Sequence, residues 1–273
     1  MKHALSFDIE DWFHIVDIPV LEDISTWDMR PTIVEEKTDM ILAMLDEFET
    51  KATFFVLGWV ANKYPNIAKK VVAAGHELGT HSYWHRKVYE LSPDEFHKDL
   101  KQSMDVLQDQ TGVKVKGFRA PSFSITPGAE WAFDVIKDLG LEYDASLFPA
   151  RRGHGGYPCQ QPAHEIKTTN GYLPELPMSI SSFGPAKIPF SGGGYMRALP
   201  LWAIKRGFRS FEKKGIPVVV YLHPRDFASD QPVVKMPLHR KFKSYTGLST
   251  TEGKLRALLQ AFDFTTCEEI IGL

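Results

Sequence analysis

Apolar residues along this chain occur in two patterns, short continuous runs and longer stretches with helical spacing. Four runs rich in β-branched and aromatic residues predict strands, at residues 4–9, 52–57, 117–120 and 218–222. Apolar residues recurring every three or four positions predict helices near residues 32–48, 60–74, 93–110, 128–139 and 199–214. Strands that alternate with amphipathic helices are typical of a parallel sheet with helical crossovers. The pattern therefore predicts an α/β fold.

The third predicted helix carries a full set of signals for its N-terminus. Ser92 is a residue type that caps helices, Pro93 suits the first helical position, and Glu95 completes a capping box. We therefore expect this helix to begin at Pro93.

The stretch from about residue 150 to residue 197 breaks the alternation. It combines clustered glycine and proline with short extended segments, and it contains the run Ser-Gly-Gly-Gly-Tyr at residues 191–195. We expect an insertion of loops and hairpins beside the functional site. No repeat or linker separates this stretch from the rest, so we expect one domain over residues 1–273. The alternation fits a (β/α) barrel or an open doubly wound sheet.

Composition excludes several classes of protein. The chain has 273 residues, of which 43% are hydrophobic, and its formal net charge of -2 gives no reason to expect a nucleic-acid partner. The two cysteines, Cys159 and Cys267, lie far apart, which argues against a disulfide framework and suits a reducing compartment. We found no apolar run suited to a signal peptide or a transmembrane segment, so we expect a cytoplasmic protein. The sequence does not fix its oligomeric state.

Three carboxylates, Asp8, Glu10 and Asp11, stand where the first predicted strand ends. The carboxyl ends of parallel strands are where α/β barrels place their chemistry. Such crowding favours a site in which one carboxylate binds a metal ion and another acts as a base. A solvated strand end with one helix cap is the alternative.

Two histidines, His81 and His85, are four residues apart. In a helical turn, this spacing places both imidazoles on one face, where they can share a divalent ion. Together with a carboxylate they would form a site with open positions for water and substrate. A pair of surface histidines is the alternative.

Two more polar residues stand at predicted strand ends. Arg119 precedes Pro121 and could orient a catalytic carboxylate, although an ordinary surface ion pair would look the same in sequence. His223 directly follows the apolar run 218–222 and lies where barrel chemistry is found, with a packed core histidine as the alternative.

Taken in order, these four segments resemble the motifs of the polysaccharide deacetylases, carbohydrate esterase family four, whose NodB homology domain would span nearly the whole chain. The family's His-Ser/Thr-x-x-His motif is met by residues 81–85 and its Arg-x-Pro motif by residues 119–121. Its late Leu-x-His motif is met in shortened form by Leu222 and His223. The first motif departs from the family's Thr-Phe-Asp-Asp-Gly, because Ile9 follows Asp8. The resemblance implies a distorted (β/α) barrel.

The resemblance implies a role for each candidate near the reacting bond. Asp8 aligns with the general base and Arg119 would hold it in place. His81 and His85 would bind the metal ion together with either Glu10 or Asp11. Glu10 would point to the same side as Asp8 in an extended strand, whereas Asp11 lies just beyond it.

The resemblance also implies the groups that complete the reaction. His223 would act as the general acid, oriented by Asp226 or Asp144, and a backbone N–H at Ser122 would stabilise the oxyanion. Zinc is the expected ion, with nickel, cobalt and iron as alternatives for this ligand set.

Several residues are candidates for contacts with the substrate. Two or three of the aromatic residues near the motifs could stack on sugar rings; these are Trp12, Phe13, Tyr83, Trp84, Phe123 and Tyr195. Arg197 could bind a carboxylate or phosphate of the substrate, or it could be a hairpin arginine in solvent. The form of residues 8–12 and the run at 192–197 resemble deacetylases encoded with bacterial exopolysaccharide loci.

The expected function is metal-dependent removal of an N-acetyl group, or an O-acetyl group, from a sugar. The same metal site would serve a cyclic-imide or ureide hydrolase or a sugar deformylase. A carbohydrate-binding protein without catalysis is the alternative from another class. It would be expected to have lost the base or a metal histidine, whereas Asp8, His81, His85 and His223 are all present.

Overall fold

The computed structural model describes residues 1–150, 155–183 and 186–273. The strands are β1 Lys2–Ile9, β2 Thr53–Val56, β3 Glu77–Thr80, β4 Gly117–Phe118, β5 Tyr143–Asp144, β6 His164–Thr168, β7 Gly171–Glu175, β8 Ile180–Phe183, β9 Ala186–Pro189, β10 Val219–Leu222 and β11 Asp263–Thr265. The helices are α1 Pro19–Glu22, α2 Val34–Glu47, α3 Gly58–Lys63, α4 Asn66–Ala73, α5 Pro93–Thr111, α6 Trp131–Asp138, α7 Gly193–Ala198, α8 Leu201–Glu212, α9 Leu238–Tyr245, α10 Thr251–Leu259 and α11 Cys267–Ile271.

The main sheet is built from parallel strands, as the alternation of strands and helices predicts. Its order is β10-β1-β2-β3-β4-β5-β7-β6, and β11 pairs with the first residues of β1. Only the β6–β7 hairpin pairs antiparallel within this sheet. Helices α4 and α5 pack on β3, and α11 packs on β1. The α/β prediction is confirmed.

Irregular backbone closes the sheet into a distorted barrel between β5 and β10. The Met178 N–H donates to the carbonyl of Leu147 at 2.9 Å, beyond the end of β5. On the other side, the Val219 N–H donates to the hydroxyl of Ser179 at 2.9 Å, and the Tyr221 N–H donates to the carbonyl of Ser191 at 3.2 Å. These bonds satisfy the edges that an open sheet would leave unpaired.

Alternation along β1 separates the outer core from the barrel interior. Leu5, Phe7 and Ile9 pack in the large core between the sheet and the helices. Ala4 faces the second, interior cluster with residues such as Tyr143 and Tyr221. Because side chains alternate across a strand, Ser6, Asp8 and Glu10 share the interior side with Ala4.

Proline breaks one predicted helix into two. Residues 60–74 were expected to form one helix, but α3 ends at Lys63 and α4 begins at Asn66. Pro65 lies between them and has no backbone N–H to continue the helical hydrogen bonds, and it disfavours helical backbone at Tyr64.

The predicted insertion at 150–197 does contain hairpins, β6–β7 and β8–β9. This stretch is more closely joined to the main sheet than expected, because β7 pairs with β5 and extends that sheet. Residues 151–154 and 184–185 of this stretch lie outside the described residues. Throughout the described part of the chain, every helix is too short or too polar to cross a membrane.

Candidate active site

A cavity of about 880 Å³ lies at the carboxyl ends of the central strands. Its floor is formed by residues that follow β1, β3, β4 and β10, and one side wall comes from α7 and α9. This is the end at which α/β barrels carry their chemistry. Asp8, Glu10, His81, His85 and His223 all line it, so the structure brings these five sequence candidates together.

Glu10, His81 and His85 form the one group of potential metal ligands found in the described residues, with one ligand atom of each within 4.8 Å of the others. All three side chains are buried. Oε2 of Glu10 contacts Nε2 of His85. Burial raises the pKa of Glu10, but three neighbouring imidazoles, above all His85, then His223 and His81, outweigh burial and hold that pKa far below its usual range. The carboxylate is therefore charged, as a metal ligand must be.

The hydrogen bond of His81 fixes which of its nitrogens can bind a metal. Nδ1 lies 2.7 Å from the carbonyl oxygen of Arg119, which can only accept, so Nδ1 carries the proton. Nε2 is left with its lone pair free. Burial lowers the pKa of His81 to about 4, which keeps the ring neutral. A ring oriented by a backbone carbonyl in this way is typical of metal-binding histidines. The three residues therefore fit a divalent ion.

The two histidines meet in a turn, and the expectation of a helical turn was wrong. Strand β3 ends at Thr80, and both Ser82 and His85 have left-handed backbone, with φ of 66° and 55°. Buried Asp99 on α5 holds this turn by accepting the backbone N–H of Tyr83 at 2.7 Å. The tertiary contact with α5 thus replaces the helical hydrogen bonds.

Asp11, the second candidate for the metal carboxylate, is used for capping. Its oxygens accept the N–H of Trp12 at 2.8 Å, the hydroxyl of Thr32 at 2.5 Å and the N–H of Ile33 at 3.1 Å. These bonds join the turn after β1 to the start of α2. Asp11 is absent from the cluster of potential ligands, so the structure favours Glu10 as the metal carboxylate.

Arg119 holds Asp8 inside the barrel. Its Nη1 donates to Oδ1 of Asp8 at 2.8 Å and to the hydroxyl of Ser6 at 2.7 Å, and its Nε donates to the carbonyl of Ala145 at 3.1 Å. The guanidinium lies 4.3 Å from the ring centroid of Phe55. With the arginine fully buried, these contacts leave Asp8 one orientation, with Oδ2 towards the cavity.

His223 faces Asp8 and Glu10 across the cavity floor. Its Nε2 lies 3.8 Å from Oδ2 of Asp8 and 3.9 Å from Oε1 of Glu10. Its Nδ1 lies 2.9 Å from Oδ2 of Asp226, and Oδ1 of Asp226 lies 2.9 Å from Nε of Arg197. The partner of His223 is thus Asp226 and not Asp144, the other candidate.

The charges around His223 favour its protonated form. Burial lowers its pKa, but Asp226, with Glu10 and Asp8 behind it, outweighs burial and raises that pKa above the ordinary value. Burial raises the pKa of Asp226, but Arg197 and His223 outweigh burial and hold that pKa far below its usual range. A protonated imidazole near neutral pH can act as a general acid.

Asp144, the other candidate partner of His223, supports the Arg119 turn. It accepts the hydroxyl of Ser146 at 2.5 Å, and that hydroxyl oxygen accepts the N–H of Ala120 at 2.8 Å. Asp144 also lies beside buried Glu175, which accepts the N–H of Leu147 at 2.9 Å.

The four residues expected to contact the substrate have different positions. Ser122 and Tyr195 line the cavity, and Ser122 has left-handed backbone with φ of 55°. Trp84 does not line it, and its ring packs against Tyr83 and Trp27. The structure thus gives Trp84 no substrate contact within this cavity.

Arg197 lines the cavity, and several groups of the protein bind its side chain. Besides its pair with Asp226, it donates to the carbonyls of Ser244 at 3.0 Å, Thr246 at 2.9 Å and Lys243 at 2.6 Å. The guanidinium therefore joins α7, α9 and the turn after β10. Its burial shows that the alternative of a hairpin arginine in solvent was wrong, while contact with an anion of the substrate stays a prediction.

Gly192 is required because its backbone lies very close to the ring of Tyr221. A Cβ on Gly192 would lie 2.2 Å from the ring of Tyr221, far inside van der Waals contact. The absence of a side chain lets this segment lie against β10 and start α7 at the cavity wall.

Sequence reasoning missed four residues that line the cavity, His14, Arg225, Arg240 and Lys243. The N–H of Asp11 donates to Nδ1 of His14 at 2.9 Å, and the buried Nε2 of His14 has no hydrogen-bond partner among the described residues. Its spacing of four from Glu10, the same as between His81 and His85, was a usable signal. The run of basic residues at 235–243 was another.

Comparison with known families agrees with this geometry. Residues 24–143 match the family model described as "Polysaccharide deacetylase". Residues 145–272 match a model described as "Domain of unknown function (DUF3473)". Residues 24–143 of this chain are therefore similar to the polysaccharide deacetylase family.

Individual relatives extend the comparison. The chain is 35% identical over 131 residues to a peptidoglycan-N-acetylglucosamine deacetylase of Bacillus cereus, covering 44% of this chain and 47% of the relative. The chain spans less than half the length of the curated relatives that it matches.

Solved structures match over nearly the whole chain. A structure from Mycobacterium smegmatis, described as a candidate polysaccharide deacetylase, has a TM-score of 0.65 and 22% identity and covers 98% of this chain and 87% of its own. A family-four pseudoenzyme from Bacillus anthracis has a TM-score of 0.52 and 17% identity, covering 99% of this chain and 66% of its own. At these identities the likeness shows the fold, and it confirms the distorted barrel.

Proposed function

We propose that this protein is a metal-dependent deacetylase that hydrolyses the N-acetyl group of a carbohydrate. One observation carries the proposal: Nε2 of His223 lies within 4 Å of both Asp8 and Glu10, and Glu10 belongs to the cluster of ligands. A base, an acid and a metal cluster therefore surround one point in the cavity. The Bacillus cereus relative, named for deacetylation of peptidoglycan N-acetylglucosamine, supports an acetylated sugar as the substrate.

Glu10, His81 and His85 would hold the ion. A divalent ion bound there would supply Lewis-acid polarisation of the acetyl carbonyl. We propose zinc, because two imidazoles and one carboxylate with an open position are a common catalytic zinc site.

Asp8 would act as the general base. Arg119 occupies its Oδ1 at 2.8 Å, and its Oδ2 faces the cavity. As water adds to the acetyl carbon, Oδ2 of Asp8 would accept the proton that the water loses. Because Arg119 binds the oxygen of Asp8 that points away from the cavity, the carboxylate is positioned before the substrate binds.

His223 would act as the general acid. Its Nδ1–H is bound by Asp226, so Nε2 presents the transferable proton to the cavity. When the carbon–nitrogen bond breaks, this proton would pass to the leaving nitrogen, giving acetate and a free amine on the sugar. We further propose that Ser122 lies beside the carbonyl oxygen, where the left-handed turn lines the cavity.

We propose a bacterial exopolysaccharide, or a precursor of one, as the natural substrate. The proposal is supported by the resemblance of residues 8–12 and of the run at 192–197 to deacetylases encoded with such loci.

The test measures acetate released from N-acetylated chitooligosaccharides by the purified protein. We expect release to stop after chelation, to return with zinc, and to be absent in Asp8→Asn with its metal content unchanged. Formate release from an N-formyl sugar by a protein inactive on acetyl sugars would instead indicate a deformylase. Sugar binding without release from any amide would contradict the enzymatic proposal.

A further inference from the structure

The cavity has two ends of opposite charge. The carboxylates Asp8 and Glu10 line the floor with the potential metal ligands. Three cationic side chains line the side formed by α9 and the turn after β10; they are Arg225, Arg240 and Lys243. The reaction proposed above uses none of these three cations.

Arg225 is only partly hydrogen-bonded within the protein. Its Nε is buried without a hydrogen-bond partner among the residues that the structure describes. Its Nη2 lies 3.5 Å from the carbonyl oxygen of Ser244, which is long for a hydrogen bond. The neighbouring carboxylate, Asp226, is already bound by Arg197 and His223 at 2.9 Å each. A guanidinium in this position has donors left for a ligand.

The other two cations add to the same wall. Arg240 lies 3.7 Å from Asp17 and also donates to the carbonyl of Val16, so it is fixed at the rim. Lys243 is exposed, and its side chain is free of the hydrogen bonds and ion pairs found in the described residues. Helix α9 contains no acidic residue between Leu238 and Tyr245. Cations therefore outnumber carboxylates on this wall.

We propose that this wall is a binding subsite for an anionic group, a carboxylate or a phosphate, of the carbohydrate that carries the acetyl group. Arg225 is the central ligand, with Arg240 and Lys243 at the rim. The inference rests on the proposed deacetylase function and narrows its substrate to acidic glycans or phosphorylated sugars.

Physical reasons favour an anion over a neutral sugar at this place. The Nη groups of Arg225, whose hydrogen bond to the carbonyl of Ser244 is long at 3.5 Å, would gain charge-assisted hydrogen bonds from an anion. The cavity of about 880 Å³ is near the upper end of the range for small-ligand pockets, so there is room beyond the acetylated unit. An anion here would also be kept away from the floor, where Asp8 and Glu10 would repel it.

The experiment compares kcat/KM for three acetylated probes with the zinc-loaded protein. Chitotetraose is the neutral probe, a hyaluronan tetrasaccharide carries carboxylates, and N-acetylglucosamine 1-phosphate carries a phosphate. The variants are Arg225→Met and Lys243→Met. Lys241→Met is the matched control, because Lys241 is exposed on the same helix but does not line the cavity.

We expect at least one anionic probe to be preferred, and Arg225→Met to lower its kcat/KM by about tenfold to 100-fold, the usual worth of a hydrogen bond to a charged group. Lys243→Met should lower it by a smaller factor that shrinks as salt is raised. The neutral probe should change equally little in Lys243→Met and Lys241→Met. Which anionic probe responds distinguishes a carboxylate from a phosphate.

Calorimetric binding of the two anionic probes separates this inference from the proposed function. If acetate is released from no probe, but Arg225→Met still weakens binding of an anionic probe, the subsite stands and the deacetylase proposal fails. If acetate is released and Arg225→Met affects neutral and anionic probes alike, the deacetylase stands and the subsite is refuted. Because the side-chain hydrogen bond of Arg225 to Ser244 is long, at 3.5 Å, and methionine keeps most of its apolar length, the variant should fold.

Discussion

The two sides of the cavity are built in different ways. The floor comes from strand ends and the turns that follow them, and its side chains are buried and held by several hydrogen bonds, as Asp8 is by Arg119 and His81 by a backbone carbonyl. The wall comes from α9, whose Phe242 is 63% exposed and whose Lys243 is also exposed. We therefore propose that the barrel positions the reacting groups, while the wall formed by α9 selects the substrate.

The largest effect is expected at the floor, when the neighbouring carboxylates Glu10 and Asp11 are replaced one at a time. Glu10→Gln should lose bound metal and lower kcat/KM by about 100-fold or more, because the ion supplies several kcal/mol of transition-state stabilisation. Asp11→Ala should keep the metal and instead lose about 0.5–2 kcal/mol of stability, the usual cost of a lost cap. Metal analysis with urea unfolding of both variants checks this. Equal metal content in the two would refute Glu10 as the ligand.

The next largest effect is expected from replacing Asp226, the partner of His223 between the floor and the wall of the cavity. Asp226 helps to raise the pKa of His223, so the acid form persists to higher pH than in an ordinary histidine. Asp226→Asn should therefore move the alkaline limb of the kcat/KM profile to lower pH and reduce activity at neutral pH by about tenfold to 100-fold, within the range of general acid catalysis. A profile that falls in height without shifting would show that Asp226 acts only structurally.

A third prediction concerns stability beneath the floor, at Glu175. Burial, with the charge of Asp144 added, raises the pKa of Glu175 well above its usual value, so the folded protein keeps this carboxyl protonated. Stability from a raised pKa is present at low pH and is lost as pH rises through the folded pKa. As pH rises from the ordinary pKa of a glutamate to the raised pKa of Glu175, the native protein should lose about 1.4 kcal/mol per pH unit relative to Glu175→Gln, which cannot ionise, and the difference should level off above the raised pKa. Urea unfolding of both proteins from acidic to alkaline pH measures this difference, and parallel curves would contradict it.

The smallest expected effect is on the wall itself. Phe242 lines the cavity and is largely exposed, so Phe242→Ala should change the stability little. If it stacks on the sugar, KM should rise by about twofold to tenfold with kcat unchanged, from about 0.5–1.5 kcal/mol of aromatic contact. A fall in kcat instead would show that the wall takes part in the reaction.

Period-two alternation explains why much of the floor could be predicted from the sequence. It places Asp8 and Glu10 on the same side of β1 without any coordinates. The capping box at Ser92 and Glu95 likewise fixes the start of α5, where the structure has it. The barrel, by contrast, followed from the family resemblance, because alternation alone also fits an open sheet.

Tertiary contacts decide the features that the sequence could not give. Asp11 is excluded from the ligand cluster because Thr32 and Ile33, some twenty positions along the chain, reach its oxygens. Arg197 is held by carbonyls of residues 243–246, which no local pattern predicts. A strand of two residues such as β5 carries too short a pattern to be recognised.

The central position of β1 has a consequence for how this protein is made. β1 lies between β2 and β10, and its Phe7 pairs with Leu222. During synthesis from the N-terminus, the proposed base Asp8 and the proposed metal ligands are made long before the proposed acid His223. The edge of β1 that pairs with β10 stays unpaired until some two hundred further residues have been made. Contacts of such sequence separation slow folding. A nascent or truncated chain that lacks β10 therefore has an incomplete site and an open edge that can pair with other chains.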